Sequence, residues 1–287
     1  MNWYPAPAKL NLFLHVLGRR ADGYHMLQTV FRLIDRCDRV GFALRADGRL
    51  RRTTRIAGVA EEDDLCLRAA TSLKNFAIEY LGVSAGALGA DIALDKVLPM
   101  GGGLGGGSSD AATTLMVLNQ LWGLALSQDD LERLALALGA DVPYFLFGRP
   151  AIAEGVGERL RELSLRSAWY LVLTPQVSVS TKEIFSDPAL TRDTKPLTIP
   201  PFFAGSGRND LEPVAVRRYA EVARHLTWLR NRVPGARMTG SGACVFAEFS
   251  DLRQAEDLAA RLPADMRGFV ARGLDRHPLH ANKLRQD

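Results

Sequence analysis

Hydrophobic residues along this chain recur with two periods, one typical of strands and one typical of helices. Residues 8–17 alternate, so that Lys9 and Asn11 fall on one face of a predicted strand, with Leu10 and Leu12 on the other. Two polar neighbours on one face fit either a solvent-facing strand or a functional site. This segment alone does not decide between the two.

Further strands are predicted where apolar residues alternate, and helices where they recur every three or four residues. The predicted strands are 30–44, 50–56, 91–98, 151–154, 169–174, 243–249 and 268–271. The predicted helices are 63–80, 111–122, 127–138, 210–232 and 252–262, with a short helical stretch at 183–185. Gly155-Val156-Gly157 fits a hinge-like connection, so we expect a domain boundary just after it, with domains 1–158 and 159–287. The alternating strands and helices of the second half predict a small α+β sandwich.

The segment that organises the other elements lies between the predicted strand 91–98 and the predicted helix 111–122. It carries six glycines within the seven positions 101–107. Glycine lets the backbone approach an anion closely, and a helix start offers free N–H groups and the positive end of a dipole. The segment therefore predicts a phosphate-binding loop rather than a plain linker. We expect Ser108, Ser109 or Asp110 to cap the helix.

Two well-known phosphate loops do not fit this segment. Its glycines match the spacing of a dinucleotide fingerprint, but the next element is another helix rather than a strand ending in an acidic residue. The glycines also have Walker A spacing, but Ser108 stands where that motif requires lysine. A different kind of phosphate loop is expected.

Two short connections place chemically useful side chains on stiff backbone. A predicted turn directly precedes Tyr24 and His25, which fit either stacking on a planar ligand or packing against their own domain. Asp141 lies between Gly139, which is expected to end a helix, and Pro143. An aspartate in such a corner either caps its own backbone or takes part in catalysis.

Composition and charge narrow the class of protein. The 287 residues are 47% hydrophobic and 24% charged, which describes a soluble globular protein, and the net charge of +4 suits an anionic small substrate. The arginine run 45–55 has no interleaved aromatics and fits a solvated strand better than a nucleic-acid surface. Three scattered cysteines form neither a metal motif nor a disulfide framework. Without a signal peptide or a long apolar run, we expect a cytoplasmic protein with no membrane partner.

Three segments together resemble the motifs of the galactokinase, homoserine kinase, mevalonate kinase and phosphomevalonate kinase superfamily, the GHMP kinases. They are residues 5–12, the glycine loop 99–109 with the Ser-Asp-Ala-Ala string it runs into, and residues 237–249. Within the superfamily, Asp-Gly-Tyr-His at 22–25 and Gly-Ala-Asp-Val-Pro at 139–143 are most similar to the kinases that act on a cytidine diphosphate methylerythritol. The resemblance covers nearly the whole chain.

The resemblance implies ATP-dependent phosphorylation of the 2-hydroxyl of 4-(cytidine 5'-diphospho)-2-C-methyl-D-erythritol, in the non-mevalonate route to isoprenoid precursors. It implies a two-domain α+β fold with the active site in the cleft between a ribosomal-S5-domain-2-like ATP-binding domain and a ferredoxin-like substrate-binding domain. Magnesium is expected with ATP, with Ser108 or Ser109 as a candidate contact and no metal site built by the protein alone. A monomer or weak homodimer is expected.

The same resemblance implies residue roles. Asp141 is expected to act as the base and Lys9 as its partner, while Tyr24 and Phe185 sandwich the cytosine and His25 reads its edge. The residues expected to contact the substrate are Asn11, Tyr24, His25, Thr181 and Phe185. The residues expected to bind the ATP phosphates are Pro99, Met100, Gly101, Gly102, Gly103, Leu104, Gly105, Gly106, Gly107, Ser108 and Ser109.

One position departs from the family pattern, and two other functions remain open. Asp64 stands where the family often has asparagine, which bears on a contact with the adenine side of the nucleotide and not on the reaction. A sister kinase acting on homoserine or a mevalonate-like alcohol would have no base to place between Tyr24 and Phe185. A catalytically silent nucleotide-binding module would not need both Lys9 and Asp141.

Overall fold

The structure is a computed structural model, and it describes residues 1–198, 202, 205 and 207–281. A long antiparallel hairpin of β1 (Asn2–Arg19) and β2 (His25–Arg45) forms its centre. The other strands of the described residues are β3 (Leu50–Arg52), β4 (Gly89–Asp95), β5 (Ala151–Gly155), β6 (Arg159–Glu162), β7 (Trp169–Leu173), β8 (Arg237–Met238), β9 (Val245–Phe249) and β10 (Gly268–Leu274).

Helices cover the sheet, and several of them begin at a residue whose side chain caps the first turn. Their bounds are α1 (Leu65–Leu81), α2 (Gly106–Leu121), α3 (Gln128–Leu138), α4 (Val142–Phe147), α5 (Thr181–Ser186), α6 (Glu212–Arg218), α7 (Ala220–Arg230), α8 (Leu252–Ala259) and α9 (Pro278–Ala281). The Ser127 hydroxyl accepts the Asp130 N–H at the start of α3, as the sequence predicts. Within the described residues, no helix has the length and apolar character needed to cross a membrane.

Strand β2 is the hub of the sheet. It pairs antiparallel with β1, β4, β5 and β10, and β3 lies parallel to β4. The pairing of Gly273 with Ile34 and of Leu274 with Leu33 joins β10, and through it β7, β9 and β8, to the N-terminal half. The α+β organisation predicted from the sequence is confirmed. The division after residue 158 stays a prediction, and it falls inside the β5–β6 hairpin.

Three apolar clusters hold these layers together. One packs helices α1 to α4 against the N-terminal strands, and a second packs α5 to α8 against the C-terminal strands. The third lies between them and contains Leu10 and Leu12 of β1 with Tyr170 and Phe246 of the C-terminal strands. The apolar face of β1 is therefore buried between the two halves, which leaves its Lys9 and Asn11 face for the site.

The start of α2 differs from the prediction. The helix begins at Gly106, with Gly105 in the left-handed region at φ 71° as its cap, so the expected capping by Ser108, Ser109 or Asp110 is wrong. Glycines favour a loop when the sequence is considered alone, but tertiary packing imposes helix here. A Cβ on Gly106 would lie 3.2 Å from the Lys96 Nζ, so the first turn has little room for a side chain.

Candidate active site

A cavity of about 810 Å³ opens between the glycine loop, the tip of the β1–β2 hairpin and a second glycine turn at 240–242. Ser109 is the one predicted site residue that does not border it, because α2 turns this side chain into the protein interior, where it is fully buried. The predicted residues that line the cavity are Lys9, Asn11, Tyr24, His25, Pro99, Met100, Gly101, Gly102, Gly103, Leu104, Gly105, Gly106, Gly107, Ser108, Asp141, Thr181 and Phe185.

An ion pair joins two distant parts of the chain in this cavity. The Nζ atom of Lys9, on β1, lies 3.1 Å from Oδ2 of Asp141, at the corner before α4. The lysine side chain is 4% exposed, whereas the aspartate side chain is 36% exposed. Opposite charges at this distance stabilise each other's charged forms. The pair thus presents a carboxylate to the cavity beside a buried ammonium.

The Lys9 ammonium is held in place by its own strand and by β2. Its Nζ donates to Oδ1 of Asn11 at 2.5 Å and lies 4.9 Å from the centre of the Phe31 ring. Nδ2 of Asn11 in turn donates to Oγ1 of Thr29 at 2.9 Å. Because Lys9 and Asn11 are both almost fully buried, the interpretation of this face as solvent-facing is wrong. Both the oxygen and the nitrogen of the Asn11 amide are hydrogen-bonded, so the amide holds the Lys9 ammonium in position.

Asp141 is free of the backbone contacts that a turn aspartate usually makes. It occupies the first position before α4 at φ −85° and ψ −17°, and its side chain accepts no capping hydrogen bond. The turn is closed instead by the backbone, where the Val142 N–H donates to the Gly139 carbonyl at 3.1 Å. The capping alternative is therefore wrong. The carboxylate has Lys9 as its ion-pair partner and is open to a ligand.

The glycine loop is clamped onto the second glycine turn. The N–H groups of Ala243 and Cys244 donate to the carbonyls of Gly101 and Gly102 at 3.2 and 3.1 Å. A Cβ on Gly103, whose φ is +74°, would lie 2.2 Å from the Thr239 carbonyl oxygen, so this close approach requires glycine. The clamp fixes the loop at the start of α2, whose N–H groups and dipole favour an anion.

Aromatic side chains line the opposite end of the cavity. Tyr24, at the tip of the β1–β2 hairpin, is 64% exposed, so the alternative that it packs against its own domain is wrong. The His25 and Phe185 rings lie with centroids 4.9 Å apart and planes tilted by 34°. Burial, with Arg192 and Arg19 nearby, lowers the pKa of His25. Neutral aromatic surfaces of this kind suit a planar base.

A second lysine beside the glycine loop was missed by the sequence prediction. Nζ of Lys96 lies 2.9 Å from Oδ2 of Asp110 and also donates to Oδ2 of Asp38. The other Asp38 oxygen accepts the N–H groups of Val97 and Leu98 at 2.6 and 2.8 Å. Burial raises the pKa of Asp110 to about 7 despite Lys96. The pKa of Lys96 is raised because the two carboxylates outweigh its burial. The sequence signal available for Lys96 was its position directly after β4.

The structure accounts for the carboxylate at position 64. Oδ1 of Asp64 accepts the N–H groups of Cys66 and Leu67 at the start of α1, and Oδ2 lies 3.1 Å from Nη1 of Arg52. Both oxygens are thus used inside the protein. In the part of the chain that the structure describes, no group of three or more His, Cys, Asp or Glu side chains could hold a metal ion.

Comparisons with known proteins place the chain among the GHMP kinases. Residues 65–149 match the GHMP kinases N terminal domain, and residues 202–268 match the GHMP kinases C terminal family. A 4-diphosphocytidyl-2-C-methyl-D-erythritol kinase from Nitrosospira multiformis is 58% identical over 96% of this chain and 92% of its own length. One from Thiobacillus denitrificans is 59% identical over 96% of this chain and 97% of its own length.

Solved structures agree with the sequence comparisons. A crystal structure of 4-(cytidine 5'-diphospho)-2C-methyl-D-erythritol kinase superposes with a TM-score of 0.78 and 34% identity, covering 95% of this chain and 99% of that one. A mevalonate kinase superposes with a TM-score of 0.66 at 15% identity, covering 96% of this chain and 100% of that one, which shows a shared fold.

Proposed function

We infer the reaction of this chain from its family: it belongs to the GHMP kinases, and within them to the family of 4-diphosphocytidyl-2-C-methyl-D-erythritol kinases. It is a small-molecule kinase with ATP as the phosphate donor. We propose that it transfers the γ-phosphoryl group of ATP to the 2-hydroxyl of 4-(cytidine 5'-diphospho)-2-C-methyl-D-erythritol. The products are the 2-phosphate and ADP.

The observation that carries this proposal is the ion pair of Lys9 and Asp141 in the cavity wall. An alcohol is a poor nucleophile at neutral pH, and a carboxylate within hydrogen-bond reach that accepts its proton accelerates transfer by about 10²–10⁴-fold. Asp141 takes the proton of the 2-hydroxyl while the 2-oxygen of the alcohol bonds to the γ-phosphorus. The bond between the γ-phosphorus and the bridging oxygen of ADP breaks. The Lys9 ammonium, 3.1 Å from the Asp141 carboxylate, offsets the negative charge that develops on the acceptor oxygen.

The glycine loop is proposed to bind the ATP phosphates, from Pro99 to Gly107 together with Ser108. Phosphoryl transfer depends mostly on positioning and on charge stabilisation, which the N–H groups at the start of α2 supply. Ser109 is fully buried and does not line the cavity, so we leave it out of the proposed phosphate contacts. Ser108 lines the cavity and is the serine whose hydroxyl is available to magnesium. Magnesium usually keeps several waters and binds chiefly to the substrate phosphates, which suits a site with few acidic ligands.

The aromatic end of the cavity is proposed to bind the cytosine. Tyr24 and Phe185 provide faces for stacking, and His25, which lies against Phe185, is placed to reach the edge of the base. Thr181 borders the cavity, and its hydroxyl lies 2.7 Å from that of Ser241, so a substrate oxygen can join this pair. Asn11 contributes through its hold on Lys9.

A substrate panel with magnesium–ATP tests the proposal. We expect ADP formation, in a coupled assay, with the cytidine diphosphate alcohol, and none with homoserine or mevalonate. Mass spectrometry of the product should show one added phosphate on the 2-oxygen. Turnover of homoserine or mevalonate instead of the cytidyl compound would assign the chain to a sister activity. ATP binding without transfer to any of these alcohols would overturn the proposed function.

Three broader expectations accompany the reaction. We propose that residues 1–158 supply the ATP side and residues 159–287 the substrate side, that the protein is a monomer or a weak homodimer, and that it works in the cytoplasm. The cysteines of the described residues are free thiols, which fits a reducing compartment. Sedimentation at two protein concentrations tests the oligomeric state.

A further inference from the structure

One arginine outside the predicted site connects both sides of the aromatic subsite. Nε of Arg192 donates to Nε2 of His25 at 3.1 Å, and Nη2 donates to the carbonyls of Phe185 and Asp187 at 2.9 and 2.8 Å. Nη1 donates to the Leu190 carbonyl at 3.1 Å. A single guanidinium thus ties the ring of His25, on β2, to the backbone beneath the Phe185 ring. Arg192 itself is not among the residues that line the cavity.

This contact determines where the imidazole of His25 carries its proton. A guanidinium has five N–H donors and no acceptor, so Nε2 of His25 must be the accepting nitrogen. The ring proton is then on Nδ1, which has no hydrogen-bond partner among the residues that the structure describes. Burial, together with the positive charges of Arg192 and Arg19, lowers the pKa of His25 and disfavours a second proton. His25 therefore offers the cavity one N–H donor.

The chemistry of the two pyrimidines makes this tautomer selective. The ring nitrogen N3 of cytosine accepts a hydrogen bond, whereas N3 of uracil carries a hydrogen and donates. A donor at Nδ1 of His25 satisfies N3 of cytosine and opposes the N3–H of uracil. The mismatch leaves two donors facing each other in a partly desolvated site, which is costly.

We propose that Arg192 is a positioning residue that holds His25 as the Nδ1–H tautomer, so that the base subsite prefers cytosine to uracil. The preference for cytosine rests on the proposed function, because it assumes that this end of the cavity receives the base. The tautomer itself does not rest on it, because it follows from the contact between the two side chains. The two parts are tested by separate measurements.

The tautomer is measured by ¹⁵N NMR on the wild-type protein without ligands. The chain has five histidines, so a His25→Phe variant assigns the His25 signals by their loss. We expect the chemical shifts of a protonated Nδ1 and an unprotonated Nε2. In Arg192→Gln, we expect a mixture of the two tautomers. A proton on Nε2 in the wild type, or an equal mixture of tautomers, overturns the proposal whether or not the chain phosphorylates the cytidyl alcohol.

The specificity is measured with Arg192→Gln and Arg192→Lys, using Arg253→Gln, an exposed position on α8, as the matched control. Each variant is assayed with the cytidyl alcohol and with its analogue that carries uracil in place of cytosine. In both Arg192 variants we expect the KM for the cytidyl alcohol to rise about tenfold and the ratio of kcat/KM for the cytidyl compound to that for the uridyl compound to fall about tenfold. The KM for ATP should stay within about twofold. The control should match wild type in all three.

An unchanged cytidyl-to-uridyl ratio, or equal rises in both KM values, would mean that Arg192 only supports the fold and would overturn the proposal. Arg192→Lys keeps the charge but lacks the Nε–H donor, so it decides the question if Arg192→Gln does not fold. Wild-type protein that turns over neither pyrimidine compound would count against the proposed function and against the cytosine preference. The NMR result would still decide the link between Arg192 and His25.

Discussion

Two clusters of lysine and aspartate lie beside the same glycine loop and differ in what surrounds them. In the first, Nζ of Lys9 is 3.1 Å from Asp141, whose side chain is 36% exposed. In the second, Nζ of Lys96 is 2.9 Å from Asp110 and also contacts Asp38, and these two carboxylates are 3% and 0% exposed. We call Lys9 and Asp141 the open pair, and Lys96, Asp110 and Asp38 the closed cluster.

Accessibility, rather than residue type, distinguishes the proposed reactive pair from the closed cluster. The carboxylate of the open pair accepts no backbone hydrogen bond at its turn, so a hydroxyl can approach it. In the closed cluster, Asp38 accepts the N–H groups of Val97 and Leu98 and holds the chain that leads into the loop. We therefore expect changes in the open pair to affect turnover and changes in the closed cluster to affect stability.

The largest expected effect comes from Asp141→Asn in the open pair. The amide keeps the size of the side chain but cannot accept the proton, so kcat should fall by about 10²–10⁴-fold. Asp141 caps nothing and is 36% exposed, so the melting temperature should fall less than in Asp38→Asn, although the buried Lys9 loses its carboxylate partner. Steady-state kinetics and calorimetry check both expectations. A variant that loses stability and keeps its kcat would reverse the roles of the two clusters.

The next largest effect is expected from the same substitution in the closed cluster, Asp38→Asn. Removing a fully buried carboxylate from Lys96 should destabilise the fold by on the order of 3 kcal/mol. The kcat of the folded fraction should change far less than in Asp141→Asn. Urea unfolding and active-site titration separate the two quantities. Full stability with lost turnover would show that the closed cluster takes part in the chemistry.

Two consecutive glycines test the difference between the clusters, because a side chain added at each would meet a different lysine. A Cβ on Gly105, at φ +71°, would lie 3.1 Å from Cε of Lys9 and 2.8 Å from Cζ of Phe145. A Cβ on Gly106 would lie 3.2 Å from Nζ of Lys96. We expect Gly105→Ala to cost about 1–2 kcal/mol of backbone strain and to lower kcat. Gly106→Ala should lower kcat less, and equal losses of kcat would argue against two separate clusters.

The smallest effect is a pH dependence of stability in the closed cluster. Burial, acting against Lys96 and together with Asp38 and Asp64, raises the pKa of Asp110 to about 7, compared with about 3.9 in an unfolded chain. A carboxyl whose pKa is raised by folding contributes stability below about pH 4 and loses that contribution as the pH rises towards 7.

The Asp110→Asn variant lacks this titration. Its stability relative to wild type should therefore increase between pH 5 and pH 8. Urea midpoints at the two pH values measure the change. A constant difference between the two proteins would mean that Asp110 titrates at the same pH in the folded and unfolded states.

Much of the fold could be predicted because the local patterns agree with the tertiary structure. The alternation in β1 placed Lys9 and Asn11 on one face, and the turn after it placed Tyr24 and His25 at a hairpin tip. The start of α2 could not be predicted, because glycine is a poor helix former, yet the helix begins at Gly106, where Lys96 leaves little room for a side chain.

The site residues that belong to sequence motifs could be predicted. The residues that come together only through pairing across the sheet were missed. The register of Arg39 with Asp95 brings the neighbouring Asp38 beside Lys96, and no local pattern encodes that register. Arg192 lies in a segment without periodicity, so its contact with His25 becomes visible only in three dimensions.

A crystal structure with the cytidyl alcohol and a non-hydrolysable ATP analogue tests the role of the open pair most directly. We expect the 2-oxygen of the alcohol about 3 Å from the Asp141 carboxylate, with the Lys9 ammonium beside it and the γ-phosphorus in line. An acceptor hydroxyl bound far from Asp141, or a triphosphate bound away from the glycine loop, would contradict it.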